Sequence, residues 1–264
     1  MPSTMLAVAL LFAATGAVAQ TETPTETPTE TRTDTRTDTL TDTLTARVSN
    51  YPGPNNPMLK GATHDLALLD VRTLTIQSAI SISDHPDSAD ELLIVKEGEL
   101  NLTSGDSTTT IDAGGVALIP AGVGYSLDAT QTTYYRFRFQ SHGSTPVRAA
   151  TAAKMPFFIR WADIPVQPTA KGETRPIFSR PTRWLAKIDL HATTLNPGEV
   201  SHPPHIHRAE EIILMRSGHA QLYINGKHYP AAAGDLVYFP SGNPHALENH
   251  SSDRCEYFAL QWQP

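Results

Sequence analysis

The chain has 264 residues, a formal net charge of −7, 21 prolines, 16 glycines and one cysteine. The acidic balance speaks against a nucleic-acid partner, because phosphate binding needs a basic surface. The lone Cys255 rules out an intrachain disulfide and a cysteine-based zinc site.

Residues 1–19 read as a cleaved signal peptide. Leu6 to Ala14 is a short apolar run, and Ala17-Val18-Ala19 supplies the small-x-small pattern before the cut. The run is too short to span a membrane. The expected location is therefore secreted or periplasmic.

Residues 20–46 form a Thr/Asp/Glu-rich linker. Threonine fills every odd position from 21 to 45, and a four-residue unit repeats. That stretch holds six acids and two arginines, a net of −4, which leaves the remainder close to neutral. Bulk charge thus says little about a substrate. A segment of this composition cannot bury a core, and a solvated, disordered tether is expected.

From residue 47 on, no long segment has helical periodicity. Short apolar and β-branched runs are separated by Gly, Pro, Asn, Asp and Ser; Val71–Ile82, Leu92–Val95, Trp184–Leu195, Ile212–Met215 and Tyr257–Trp262 are examples. Asn225-Gly226 after Leu222-Tyr223-Ile224 predicts a tight hairpin. Cys255 opens one such run, so a buried thiol is expected. The fold class is all-β, with barrels or sandwiches.

An internal repeat sets the domain count. Shifted by 120 residues, Glu91 meets Glu211, Gly98 meets Gly218, Gly114 meets Gly234, Pro120 meets Pro240 and Gly122 meets Gly242, without a gap. Leu92-Leu93-Ile94-Val95 meets Ile212-Ile213-Leu214-Met215. The expectation is two similar barrels, 47–155 and 156–264. The segment joining them is proline-rich, with Trp161 as a packing anchor.

The second copy carries the chemistry. His205 and His207 are two apart, so in extended backbone they face the same way. Glu211 follows, and His245 comes from a separate hairpin. Three imidazoles and one carboxylate on a rigid β-scaffold suit one divalent ion per chain: Fe, Mn, Ni, Cu or Zn, with no selection among them. His202, three residues before the first ligand, is either a proton-transfer group or an exposed loop histidine. Glu210 alternates to the face opposite Glu211 and is expected to be solvated. Met215 shares the parity of Glu211 and should line the barrel wall. Tyr223, Tyr238 and Trp262 are expected to pack the barrel, with shaping a pocket as the alternative. His219 and His228 should be surface residues.

These residues resemble both signature motifs of the cupin superfamily. The first runs from Gly198 through His205-x-His207 and Glu211 to Gly218, and the second from Gly234 through Pro240-x-Gly242 and His245 to Asn249. The whole chain resembles a bicupin, which implies two jelly-roll barrels in tandem. In the first copy His85 and Glu91 stand at ligand positions, but Asp87, Tyr125 and Ala129 replace a histidine, a histidine and the asparagine. That barrel is expected to be degenerate, supporting the second or mediating a homodimer. Asn101 and Asn249 match the N-glycosylation pattern, but a motif asparagine at 249 should be buried.

The resemblance implies a metal-dependent dioxygenase acting on a small phenolic or enolic molecule. His205, His207, Glu211 and His245 would be the ligands, Glu211 also a base, and His202 a second catalytic group. The alternatives are a non-oxidative metal enzyme, either a ureidoglycine aminohydrolase-like hydrolase or a decarboxylase, and a non-catalytic small-ligand binding protein.

Overall fold

The computed structural model describes residues 43–78, 80–84, 88–143 and 155–264, with backbone only for 80–84. The expected signal peptide, most of the linker, and His85 and Asp87 of the first copy lie outside the described residues.

Among the described residues twenty strands follow one another. They are β1 (Arg47–Ser49), β2 (Pro57–Gly61), β3 (Leu66–Ile76), β4 (Ile80–Asp84), β5 (Asp90–Glu97), β6 (Leu100–Ser104), β7 (Ser107–Ile111), β8 (Val116–Ile119), β9 (Tyr125–Ala129) and β10 (Thr132–Ser141). Then come β11 (Phe157–Ile159), a 3-10 turn at Trp161–Asp163, β12 (Gln167–Thr169), β13 (Gly172–Arg180), β14 (Lys187–Leu195) and β15 (Glu210–Ser217). The last five are β16 (His219–Ile224), β17 (Lys227–Ala232), β18 (Leu236–Phe239), β19 (His245–Glu248) and β20 (Cys255–Gln263). Asn225 and Gly226 both take positive φ, 49° and 82°, at the hairpin between β16 and β17.

The strands build two jelly-roll barrels. In the first, a six-stranded sheet ordered β11-β8-β5-β10-β3-β2 faces a four-stranded sheet β4-β9-β6-β7. In the second, a seven-stranded sheet β1-β18-β15-β20-β14-β13-β12 faces a three-stranded sheet β17-β16-β19. The repeat is visible strand by strand: β15 and β18 begin and end 120 residues after β5 and β8.

Three apolar cores hold this together. One fills each barrel, and the third lies between the two large sheets. Side-chain alternation divides each central strand between two cores. Leu93 and Val95 of β5 fill the first barrel, while Leu92 and Ile94 join the shared core. Ile213 and Met215 of β15 fill the second barrel, while Ile212 and Leu214 meet the first barrel's residues. Each such fully buried side chain contributes about 1.5–3 kcal/mol of transfer free energy. Cys255 is buried at 0 % exposure, as expected.

The barrels also exchange arms. β1 precedes the first barrel but pairs with β18 of the second, Val48 opposite Val237. β11 precedes the second barrel but pairs with β8 of the first, Phe158 opposite Ala117. An aromatic residue after each arm lies on a glycine of the barrel it joins. A Cβ on Gly234 would sit 2.9 Å from Tyr51 Cγ, and one on Gly114 would sit 2.7 Å from Trp161 Cδ2. Both glycines have φ above 90°, so any other residue there would be strained as well as crowded. The guanidinium groups of Arg175 and Arg216 also lie over Trp161, at 4.5 and 4.2 Å from its ring centroid.

Two expectations need correction. The linker does not run free to residue 46: Thr43 bridges Ala62, the Leu44 amide donates to Ala62 O at 2.8 Å, and the Leu44 side chain is buried against Gly61. One leucine in a polar repeat is enough to anchor its end in the shared core. Glu210, expected in solvent, is fully buried. The face opposite a barrel interior is here the wall between barrels. There the Glu210 carboxylate accepts hydrogen bonds from Thr63 Oγ1 (2.6 Å), Tyr238 OH (2.6 Å), Trp262 Nε1 (3.0 Å) and the amides of His64 and Asp65. Tyr238 and Trp262 thus belong to the shared core. The second barrel answers with a similar turn, in which Thr182 Oγ1 accepts from the amides of Trp184 and Leu185 as Thr63 Oγ1 does from Asp65 and Leu66.

Candidate metal centre

Inside the second barrel three loops and strands converge. His205 lies in a short bridge opposite His245, each backbone amide donating to the other's carbonyl at 3.1 Å. His207 follows on irregular backbone, its carbonyl held by the Gly242 amide at 2.9 Å. Glu211 projects from β15 with the interior-facing Ile213 and Met215, and β19 brings His245 at its first residue. The ligand atoms of His205, His207 and His245 all lie within 4.8 Å of one another. Glu211 Oε2 is 3.2 Å from His207 Nε2 and 3.0 Å from His245 Nε2. The four residues expected as ligands are brought together. His205 and His207 do so without the continuous strand that the two-residue spacing suggested.

Hydrogen bonding fixes the imidazole tautomers. His207 Nδ1 donates to Ala209 O at 2.8 Å, and His245 Nδ1 donates to Asn243 O at 2.7 Å. A neutral imidazole bound this way presents a lone pair at Nε2. Both Nε2 lone pairs then face one carboxylate oxygen, an arrangement that needs positive charge between them. Glu211, through its hydrogen bond and its charge, raises the pKa of His207. Burial pushes the Glu211 carboxyl up, but hydrogen bonds from His207 and His245 outweigh it and hold the group at about 2. Burial, with the neighbouring His245 and His207, lowers His205, whose buried Nδ1 has no hydrogen-bond partner among the described residues. This donor set fits a divalent ion: an anionic oxygen, two imidazoles oriented by carbonyls, and a third imidazole held neutral by burial.

A cavity of about 600 Å³ opens beside the cluster. His202 stands at its mouth, its ring edge-on to that of His205 with centroids 3.9 Å apart. His202 is exposed to solvent, but desolvation on the side packed against His205, and then the charge of His205, lowers its pKa to about 4. The wall near the cluster is apolar: Ile213, Phe239, Leu247 and Ala259 line it, and the Phe239 ring stacks on His245 at 4.3 Å. Polar residues that are not motif positions also line it: Lys171, His191, Thr193, Ser201, Tyr257 and Gln261. The period-2 pattern of β14 and β20 could have marked His191, Thr193, Tyr257 and Gln261 as interior, but not as lining an open space. Asn249 is fully buried, its amide donating to Leu195 O, Asn196 O and Asp253 O. Tyr223 packs on the His228 ring, and His219 and His228 are exposed.

The equivalent place in the first barrel is built differently. Glu91, 1 % exposed, accepts a hydrogen bond from Tyr125 OH at 2.6 Å, and its other oxygen lies 2.8 Å from Arg138 Nε. Arg138 is the cross-strand partner of Glu91, where Gln261 is the partner of Glu211. A guanidinium fixed to the chain supplies positive charge beside this carboxylate.

Residues 191–260 match the family model described as a cupin domain. The fold is similar to that of an oxalate decarboxylase from Bacillus subtilis, with a TM-score of 0.64, 13% identity, and coverage of 86% of this chain and 79% of that one. It is similar also to AerE from Microcystis aeruginosa (TM-score 0.60, 13% identity, 83% and 98% covered). A putative glyoxylate-induced protein from Pseudomonas aeruginosa has a TM-score of 0.61 at 21% identity, with 78% and 77% covered.

Proposed function

From the premise that this is a two-barrel chain of the cupin fold whose second barrel is a cupin domain, we propose that it is a metal-dependent dioxygenase of small phenolic or enolic molecules. His205, His207, Glu211 and His245 would hold one divalent ion. The observation that carries the reading is the pair of Nε2 lone pairs, fixed by carbonyls at Nδ1, aimed at a single Glu211 oxygen.

When bound, a redox-active ion supplies Lewis acidity and an electron path between substrate and O₂. The chain's own residues do the rest. Glu211 engages both imidazoles through Oε2, which leaves Oε1 to accept the proton of a substrate hydroxyl. His202, neutral and at the mouth, can carry that proton to solvent. Ile213, Phe239 and Leu247 keep water away from the reacting face. The proposal includes export through residues 1–19 to a secreted or periplasmic location, and a supporting or dimer-forming role for the first barrel.

The test is elemental analysis of the purified protein followed by O₂ uptake with flavonols, catechols and β-diketones. Iron, copper or nickel with O₂ uptake supports the reading. Manganese or zinc without O₂ uptake turns it toward a non-oxidative enzyme. No bound metal, and no change of melting temperature on adding one, overturns both.

A further inference from the structure

The polar lining of the cavity contains a donor pair that the metal reading leaves unused. Lys171 sits in the turn between β12 and β13. The turn is pinned: Asn196 N donates to Lys171 O at 2.9 Å, and a Cβ on the next residue, Gly172, would lie 2.1 Å from Thr194 O. From there Lys171 Nζ donates to Ser201 O at 3.0 Å, and both residues line the cavity. The Ser201 Oγ is buried beside the cavity, with the Tyr257 side chain as a polar neighbour. An ammonium group has three hydrogens and no lone pair. One hydrogen is used on Ser201 O, and among the described residues no carboxylate lies within ion-pair distance of Lys171. The two remaining ammonium hydrogens are donors, and the Ser201 hydroxyl can donate as well as accept.

Charge points the same way. Besides Lys171, the cavity is lined by two carboxylates. Glu173 is paired with Arg254 Nη2 at 3.2 Å, and Glu211 faces the histidine cluster. A divalent ion would more than offset Glu211, leaving Lys171 an unbalanced cation in a half-enclosed space.

We propose that Lys171 and Ser201 form a carboxylate-binding subsite, so that the substrate carries a carboxylate in addition to the oxygens that would chelate the ion. This rests on the metal-enzyme reading for the chelating half only. The ammonium and the Ser201 hydroxyl each donate to the carboxylate, and the apolar wall takes the ring or chain between the two ends.

The test is calorimetric titration of the metal-loaded protein with catechol, 3,4-dihydroxybenzoate and benzoate. The acid should bind about tenfold more tightly than catechol, the worth of one charge-assisted contact. Lys171→Met should reduce that preference to about twofold or less while catechol affinity holds, and Lys171→Arg should keep most of it. Ser201→Ala, which keeps the charge, should weaken the preference in part. Catechol bound with no preference for the acid overturns the subsite alone, as does a preference that survives Lys171→Met. Benzoate bound where catechol is not overturns the chelate reading and leaves the subsite standing. No binding of any of the three overturns both.

Discussion

Glu210 and Glu211 are consecutive on β15 and point to opposite sides of the same sheet. Glu211 meets His207 and His245 inside the second barrel, and Glu210 takes five hydrogen bonds in the wall between the barrels. Neighbouring carboxylates thus face the histidine cluster on one side and the inter-barrel wall on the other. Glu210→Ala leaves four buried donors and the part-buried His64 amide without their acceptor and should cost about 3–5 kcal/mol of stability in urea unfolding. Metal content per folded chain should stay as in the wild type. Glu211→Gln should do the reverse, lowering metal affinity about a hundredfold or more, beyond the loss typical of outer partners, in a protein that still folds. Equal effects from both changes would mean that the two faces are not separate.

His205→Ala and His245→Ala each remove an imidazole from the cluster but little from the apolar cores. The expected result is loss of stoichiometric metal by elemental analysis with the β-sheet circular dichroism retained. Full metal content in either variant would show that the ion binds elsewhere.

In the first barrel, Arg138→Met leaves the buried Glu91 without its fixed cation. Breaking a buried pair from one side costs about 3–5 kcal/mol, so a clear drop in melting temperature is expected. Metal stoichiometry should remain that of the second barrel alone. Tyr125→Phe should also leave metal content unchanged. Metal lost through either change would contradict a structural role for this barrel.

Metal affinity should depend on pH through His207. Its pKa lies above 6.5 because Glu211 stabilises the protonated ring. That stabilisation is complete below the unfolded value and is lost as pH rises through the raised folded value. The ion needs the same Nε2 free of its proton, so affinity should climb with pH across this window and then level off. Competition titrations between about pH 5.5 and about pH 8.5 would show a slope near one proton. A flat profile would contradict direct ligation by His207.

The duplication was legible because turns and apolar strands keep their spacing, and β5, β8 and β9 do recur 120 residues on as β15, β18 and β19. The convergence of His205, His207, Glu211 and His245 was legible because short spacings link the first three, with His245 supplied by the second motif. Glu210 was misread for one reason: alternation says which side chains oppose each other, not what lies on the far side. Water was assumed there, and a second sheet stands there instead. Arg138 was missed because its partner Glu91 is chosen by the register between β10 and β5, which no local pattern in Tyr134–Phe139 encodes. Lys171 and Ser201 meet only because the β12–β13 turn folds back over the end of β14.

The arms have a further consequence. A half-length chain would hold out a strand with no barrel of its own to receive it, and its β8 or β18 edge would stand open to any extended partner. Two such halves could close each other's edges only by reciprocal trade, the topology of a strand-swapped pair of subunits. This polypeptide has that topology with the two subunits joined end to end. Joined subunits, unlike identical ones, are free of symmetry at their centres: one can keep a site for a mobile cation while the other holds a permanent one in Arg138.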